Sequence, residues 1–273
     1  MPDPILVSCL MVTKPRTERF TFLKDSISAF LRQTYRPCEL VIVLDEAEEA
    51  ATRALETFVT SLGQPNIRLI ASQGPPSPGP MSLGALRNRS VAASLGQILC
   101  QWDDDDMHHP DRVQRQLAAM TAAGKQACYL QDLFQYATES RKLYWTNWLK
   151  APVPAHPGTL MCTRAAMLRY PETGPLSQRG EDRDVLERLD AAGLVCVLDA
   201  NPHLFVYRMH ASNLSAQSHL QMLLDSLSVS SAFLLRRKAA LTDELAAFDF
   251  GAGEVFVTGS NGPAFTIAGS DRS

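Results

Sequence analysis

ILVSCLMV, residues Ile5–Val12, is a dense apolar run rich in β-forming residues. Such a run suits a strand buried on both faces. Lys14-Pro15-Arg16 interrupts it, and Leu23, Ile27, Phe30 and Leu31 then recur at helical spacing. Arg36-Pro37 breaks that helix. A second apolar run, Leu40–Leu44 (LVIVL), follows and ends at Asp45-Glu46. Leu55, Phe58, Val59 and Leu62 mark another helix face, Gly63 stands where a C-terminal cap belongs, and Ile67–Ile70 is a third short strand. The first seventy residues therefore read β-α-β-α-β. That alternation predicts an α/β fold, a mostly parallel, doubly wound central sheet with helices on both faces. Ligands of such sheets bind beyond the carboxyl ends of the strands. The places to inspect are Thr13–Arg16, Asp45-Glu46 and the end of the next strand.

Outward from this core, Gln73–Pro80 (QGPPSPGP) is a loop, since neither a helix nor a central strand tolerates so many prolines. Gly84–Leu95 reads as a helix stopped by Gly96, and Gln97–Trp102 as a fourth strand running straight into Asp103-Asp104-Asp105-Asp106. Pro110 opens a helix at the position proline prefers, with Val113, Leu117 and Met120 on one face and Gly124 at its end. The second half is less regular. Tyr129–Tyr136 and Lys142–Trp148 read as strands and Ala151–Gly158 as a loop. Glu181–Ala192 reads as a helix, Leu194–Leu198 and His203–Tyr207 as strands, and Leu220–Phe248 as mostly helical. Residues 216–249 are expected to form a C-terminal helical segment, and 250–273 a loosely attached, flexible Gly/Ser-rich tail.

A chain of 273 residues with 45% hydrophobic and 20% charged residues has a globular composition and can bury a sizeable core without staples. The formal net charge of −3 excludes a strongly basic nucleic-acid binder, though not a locally basic cleft. Cysteines 9, 38, 100, 128, 162 and 196 form no C-x-x-C pair, and several sit inside apolar runs. They are expected to be buried free thiols in a reducing compartment. Met1-Pro-Asp-Pro lacks a basic leader region, and no apolar run approaches the ~20 residues that span a bilayer. The expectation is a soluble, cytoplasmic protein.

The aspartate tetrad is the strongest chemical feature. Clustered carboxylates repel one another, and a strand end that collects them suits a hard divalent cation such as Mn²⁺ or Mg²⁺. The plain alternative is a solvated acidic turn facing a helix N-terminus. One or two carboxylates make a poor cage, which a diphosphate completes. The pattern thus points to a nucleotide-diphosphate substrate. Thr13 and Asp45 end the first two strands, and Asp45 could accept from a base N–H. Arg16 and Arg87 are candidate diphosphate contacts, because a guanidinium fork suits phosphate oxygens. Glu181-Asp182 open a helix, either as charge complements to its N-terminus or as a general base. His210 is either structural or a neutral imidazole near the metal or diphosphate. His108-His109 are held in reserve. No G-x-G-x-x-G, P-loop, G-x-S-x-G or H-E-x-x-H motif is present.

These residues together resemble the GT-A-fold glycosyltransferases of family 2 over about residues 5–215. Val7–Arg16 (VSCLMVTKPR) looks like the family's first strand and nucleotide-binding turn. Gln33–Glu46 (QTYRPCELVIVLDE) is similar to the segment whose terminal aspartate contacts the base. Gly84–Ser90 (GALRNRS) is similar to the A-R-N helix, and Trp102–Pro110 (WDDDDMHHP) to the D-x-D-D metal motif. Gly180–Leu189 (GEDRDVLERL) looks like the E-D helix, and Tyr207–Ser215 (YRMHASNLS) like the closing Y-R-x-H-x-x-N-x-S segment. The sequence departs from the pattern at Glu46 and Ala47, where a second aspartate and a Gly-Ser turn are usual.

The resemblance implies a catalytic domain over 1–215, with a nucleotide-binding half (1–106) and an acceptor-side half (107–215). It implies an inverting transfer from a nucleotide-diphosphate sugar, UDP-linked by preference, to a hydroxyl on a carbohydrate or lipid-linked acceptor. Asp105 would hold Mn²⁺ or Mg²⁺, with His210 as a further ligand. Asp103 or Asp104 would lie near the ribose, Asp45 would contact the base, and Asp182 would be the general base. A nucleotidyltransferase and a non-catalytic sugar-nucleotide-binding subunit are the rivals. Tyr144, Trp145, Trp148 and His156 would either stack on a sugar or pack as core. Arg236-Arg237-Lys238, beside Phe233-Leu234-Leu235, would either belong to an ordinary packed helix or serve a peripheral contact with the inner face of a membrane or a homodimer.

Overall fold

The computed structural model describes residues 4–45, 48–71, 81–213 and 217–269. The strands are β1 (Val7–Thr13), β2 (Cys38–Leu44), β3 (Ile67–Ala71), β4 (Ile98–Gln101), β5 (Met107–His108), β6 (Ala127–Leu130), β7 (Asp132–Ala137), β8 (Lys142–Asn147), β9 (Met161–Thr163), β10 (Val195–Leu198), β11 (Phe205–Met209), β12 (Gly253–Gly259) and β13 (Gly262–Gly269). The α-helices are α1 (Phe20–Leu31), α2 (Glu49–Ser61), α3 (Leu83–Ala93), α4 (Arg112–Ala122), α5 (Glu181–Ala191), α6 (Gln217–Leu227), α7 (Ser231–Arg236) and α8 (Lys238–Leu245). Glu46, Ala47, the Gln73–Pro80 loop, Ser215 and the last four residues lie outside the described residues.

The chain divides into two compact units. The first takes the residues up to Asp105, Val113–Tyr129 and Pro157–Cys196. The second takes Asp106–Arg112, Leu130–His156 and the chain from Val197 on.

The first unit is built on a seven-stranded sheet of order β10-β6-β9-β4-β1-β2-β3. β1 pairs in parallel with both β2 and β4, and β2 with β3. β1 is buried at all but one position and β2 at every position, which is why neither sequence alternates. Three helices of this unit are amphipathic: α1 buries Leu23, Ile27 and Phe30, α2 buries Ala51, Leu55 and Val59, and α5 buries Val185, Leu186 and Leu189. α3 is capped by Ser82, whose hydroxyl accepts from the Ala85 N–H. It runs so close to the segment after Tyr170 that a Cβ added to Gly84 would lie 1.9 Å from the Pro171 carbonyl oxygen. Parallel pairing brings Thr13, Asp45 and the residues after Gln101 to one edge. There the Asp45 N–H donates to the Thr13 carbonyl at 2.8 Å and the Trp102 N–H to the Leu10 carbonyl at 3.0 Å.

The second unit is built on a six-stranded sheet, β13-β12-β8-β7-β11-β5. Its core gathers Phe134, Trp145, Leu234, Leu241, Phe248, Val255 and Val257, among others.

The parallel core expected of the central sheet is present as β4-β1-β2-β3, within a mixed seven-stranded sheet. Other expectations need correction. The stretch read as one strand, Tyr129–Tyr136, breaks at Gln131 into β6 and β7, which belong to different sheets. The helix read from Pro110 starts at Arg112, while Leu220–Phe248 is mostly helical as expected, in parts of three helices. Residues 253–269 are not a loose tail. They form an antiparallel hairpin whose first strand pairs in parallel with β8, and Val255, Val257 and Phe265 are buried. Low charge and many glycines there reflect a strand pair with a tight turn. None of the six cysteines is in a disulfide; five are buried and Cys196 is half-buried.

Candidate active site

The carboxyl ends of β1 and β4 meet the start of α5 in the first unit, and the aspartates after β4 divide among Arg87, Arg19 and the Arg208 N–H. Asp103 accepts from Arg87 Nη1 at 3.1 Å and from Gln101 Nε2 at 3.1 Å, while its carbonyl accepts from Ser26 Oγ at 2.8 Å. Asp104 accepts from Thr13 Oγ1 at 2.5 Å and from Arg19 Nη2 at 3.1 Å. The same Arg19 nitrogen donates to Asp105 at 2.7 Å. Asp106 belongs to the second unit, where it is buried and accepts from the Arg208 N–H at 2.9 Å.

Burial and the neighbouring Asp105 push the Asp104 carboxyl up to about 7, against the pull of Arg19 and of the Thr13 hydroxyl. Ionised, Asp104 and Asp105 therefore hold more negative charge than one guanidinium offsets, and a hard cation would relieve the surplus. Among the described residues no group of three or more His, Cys, Asp or Glu is gathered as a metal cage. The pair fits a cation whose remaining ligands are waters and phosphate oxygens.

Asp182 sits in the first turn of α5 behind Gly180, whose φ of +88° is a left-handed turn open to glycine. Its Oδ1 accepts from the Arg183 N–H at 2.7 Å. Burial and the adjacent Glu181 push its carboxyl up to about 6, and Arg87 pulls it down. Glu181 is buried and accepts from Arg87 Nε at 2.9 Å.

The other predicted residues divide. Thr13 is buried against Asp104, and Asp45 is partly exposed with Lys14 Nζ 3.8 Å away. Arg16 is exposed and faces Glu18 at 3.9 Å. Arg19, one helical turn on, reaches the aspartates instead. Sequence reasoning passed over Arg19 because it closes a short 3-10 turn at Thr17–Arg19 that has no sequence signature. Arg87 is buried, with two of its nitrogens committed to Glu181 and Asp103. His210 lies in the second unit, with Ser212 Oγ 2.9 Å from Nδ1 and Asn213 Nδ2 3.2 Å from Nε2. Tyr144, Trp145, Trp148 and His156 pack against neighbours within that unit. Trp145 donates from Nε1 to Asp132 at 2.7 Å, Trp148 meets His156 edge-on, and Tyr144 lies against the Met209–Leu220–Leu224 cluster. Burial, aided by Arg112, lowers His156 to about 3, so its imidazole is neutral.

The first unit thus brings an acidic strand end and a carboxylate-led helix together on a mixed α/β sheet. The model of glycosyl transferase family 2 matches residues 8–170, more than half of the chain, and the chain belongs to that family. It is 37% identical over 89 residues to the succinoglycan biosynthesis protein ExoO of Rhizobium meliloti, covering 32% of this chain and 22% of that protein. It is 30% identical over 118 residues to the glycosyltransferase MJ1057 of Methanocaldococcus jannaschii, covering 43% and 38%. The matches thus span well under half the length of either relative. Among solved structures, S. aureus TarS 1-349 in complex with UDP superposes with a TM-score of 0.55 at 13% identity, over 86% of this chain and 72% of that one. The mannosyltransferase PcManGT of Pyrobaculum calidifontis, in complex with GDP-Man and Mn²⁺, gives 0.52 at 11%, over 89% and 63%. The fold is GT-A-like.

Proposed function

We propose that the chain is an inverting glycosyltransferase that moves a sugar from a nucleotide-diphosphate donor, UDP-linked by preference, to an acceptor hydroxyl. Family membership supports the class, and the solved neighbours carrying UDP or GDP-Man with Mn²⁺ support the donor chemistry. The observation that carries the reading is the ion-pair chain Asp103–Arg87–Glu181, which ties the acidic strand end to the helix turn bearing Asp182.

In this scheme the acceptor oxygen attacks the anomeric carbon as the bond from that carbon to the diphosphate oxygen breaks, and Asp182 takes the acceptor's proton. A carboxyl near 6 is ionised at neutral pH yet basic enough to receive that proton. Asp105, with Asp104 beside it, would hold Mn²⁺ or Mg²⁺, which offsets charge on the leaving diphosphate. His210 is the further ligand nominated from sequence, and its ring would have to give up Ser212 or Asn213 to serve. Asp103 or Asp104 is assigned to the ribose, Asp45 to the base and Thr13 to holding Asp104. The acceptor is a carbohydrate or lipid-linked hydroxyl. Among the described residues no helix is long and apolar enough to cross a membrane.

The test is a panel of UDP- and GDP-sugars assayed with and without Mn²⁺ for nucleoside diphosphate release. Asp182→Asn should retain UDP binding and lose transfer by at least about 100-fold. Asp105→Ala should lose metal-stimulated turnover while staying folded. Pyrophosphate release would move the chain to the nucleotidyltransferases, and unchanged transfer in Asp182→Asn would remove that residue from the base role.

A further inference from the structure

Arg87 is the buried cation of the first unit that touches carboxylates from two separate segments. It is 8% exposed, and Glu181, its partner through Nε, is 2% exposed. Its Nη1 holds Asp103, and its guanidinium lies 5.9 Å from the centre of the Tyr170 ring. The next residue, Asn88, fixes the same wall: its amide donates to the Tyr170 carbonyl at 2.9 Å and to Glu172 at 2.8 Å, and accepts from the Tyr170 N–H at 2.9 Å. Leaving the buried Glu181 carboxylate without its partner would cost more than the pair contributes. The fork geometry of arginine, which lysine lacks, lets one side chain serve both.

We propose that Arg87 is a positioning residue for the transfer, seating the first turn of α5 and the donor-side Asp103 against each other without touching substrate. This rests on the base role proposed for Asp182. Glu181 is the first residue of α5, so the bond to Arg87 sets where that helix starts and hence where the next side chain, Asp182, is held. The charged and titratable groups around Asp182 are Glu181 on its own helix, Arg87 from α3, Asp103 from the end of β4, and the hydroxyls of Tyr129 on β6 and Tyr170. Arg87 is the cation among these. Its removal should make the Asp182 carboxylate harder to form, and removal of the Glu181 charge should make it easier.

The experiment measures kcat and donor KM against pH for the full chain, for Arg87→Gln, Arg87→Lys, Glu181→Gln and the Arg87→Gln/Glu181→Gln pair, with Asp182→Asn as control. Arg87→Gln should lower kcat by about 10- to 100-fold, as small misplacements do. Its acidic limb should move up by about one pH unit, the usual effect of losing one nearby cation. Donor KM should move much less than kcat. Arg87→Lys should keep the limb in place and still lose kcat, because an ammonium cannot span both carboxylates. Glu181→Gln should move the limb down, and the pair should bring it back towards the parent. Limbs unmoved in Arg87→Gln and Glu181→Gln, with kcat falling only in step with the folded fraction read by circular dichroism, would overturn the proposal. If Arg87→Gln does not fold, Arg87→Lys and Glu181→Gln decide by the same criteria. Full transfer by Asp182→Asn would instead overturn the base assignment, and the two failures are separable.

Discussion

Asp104 stands between a hydroxyl and a guanidinium, and both donate to it. Burial and Asp105 still leave its folded-state carboxyl well above the ordinary carboxylate range. The linkage has a definite sign. Below the unfolded value, near 4, both states are protonated and the site costs nothing. As pH rises towards 7 the unfolded chain ionises first, so the folded state loses stability across that window. A divalent cation relieves that cost only where the carboxylates are ionised. Mn²⁺ with UDP should therefore raise the Tm at pH 7.5 and do so much less at pH 5.5. An equal rise at both values in differential scanning fluorimetry would count against a carboxylate-held metal.

α3 shows how an element is fixed by the space it must cross. Its polar residues Arg87 and Asn88 point at partners far along the chain, and Gly84 lets its first turn lie against the Pro171 carbonyl. Because the obstacle is backbone, a methyl group at 84 cannot be accommodated by a side-chain rotation. Gly84→Ala should cost about 3 kcal/mol or more, lowering Tm by roughly 6–12 °C. It should also reduce transfer more than donor binding, since the displaced helix carries Arg87. A Tm within a degree of the parent would show that α3 can shift freely.

At the scale of the molecule, each unit is assembled from distant parts of the chain, and the C-terminal hairpin completes the sheet of the second. Val255, Val257 and Phe265 contribute to that unit's core, at about 1.5–3 kcal/mol per buried side chain. Set against a typical stability of about 5–15 kcal/mol, their loss is severe. Deleting residues 251–273 should thus abolish cooperative unfolding or soluble yield. A truncated chain with the parent's Tm would restore the picture of a dispensable tail. The basic triplet of this unit is likewise engaged within it: the Arg237 guanidinium lies 5.2 Å from the Trp145 ring and Lys238 Nζ 5.7 Å from that of Phe265.

The parallel order of β1, β2 and β3, the placing of Thr13 and Asp45 at strand ends, and the acidic end of β4 were legible because they follow from local patterns: apolar runs, helical spacing and the residues that interrupt them. The six ordered motifs carried the family for the same reason. β9, three residues long, has no pattern of its own and exists only because β4 and β6 flank it. The hairpin after residue 252 is a strand pair only because β8 offers an edge. Arg16 and Arg87 looked equivalent in sequence, as guanidinium groups near strand ends. What separates them is which carboxylates lie within about 3 Å of each one. Sequence determined the layers and the chemical types available at the sheet edge, since these depend on neighbours a few residues away. Only tertiary structure decided which cation meets which anion, because those partners are 16, 85 and 94 residues apart and their pairing depends on distance through space.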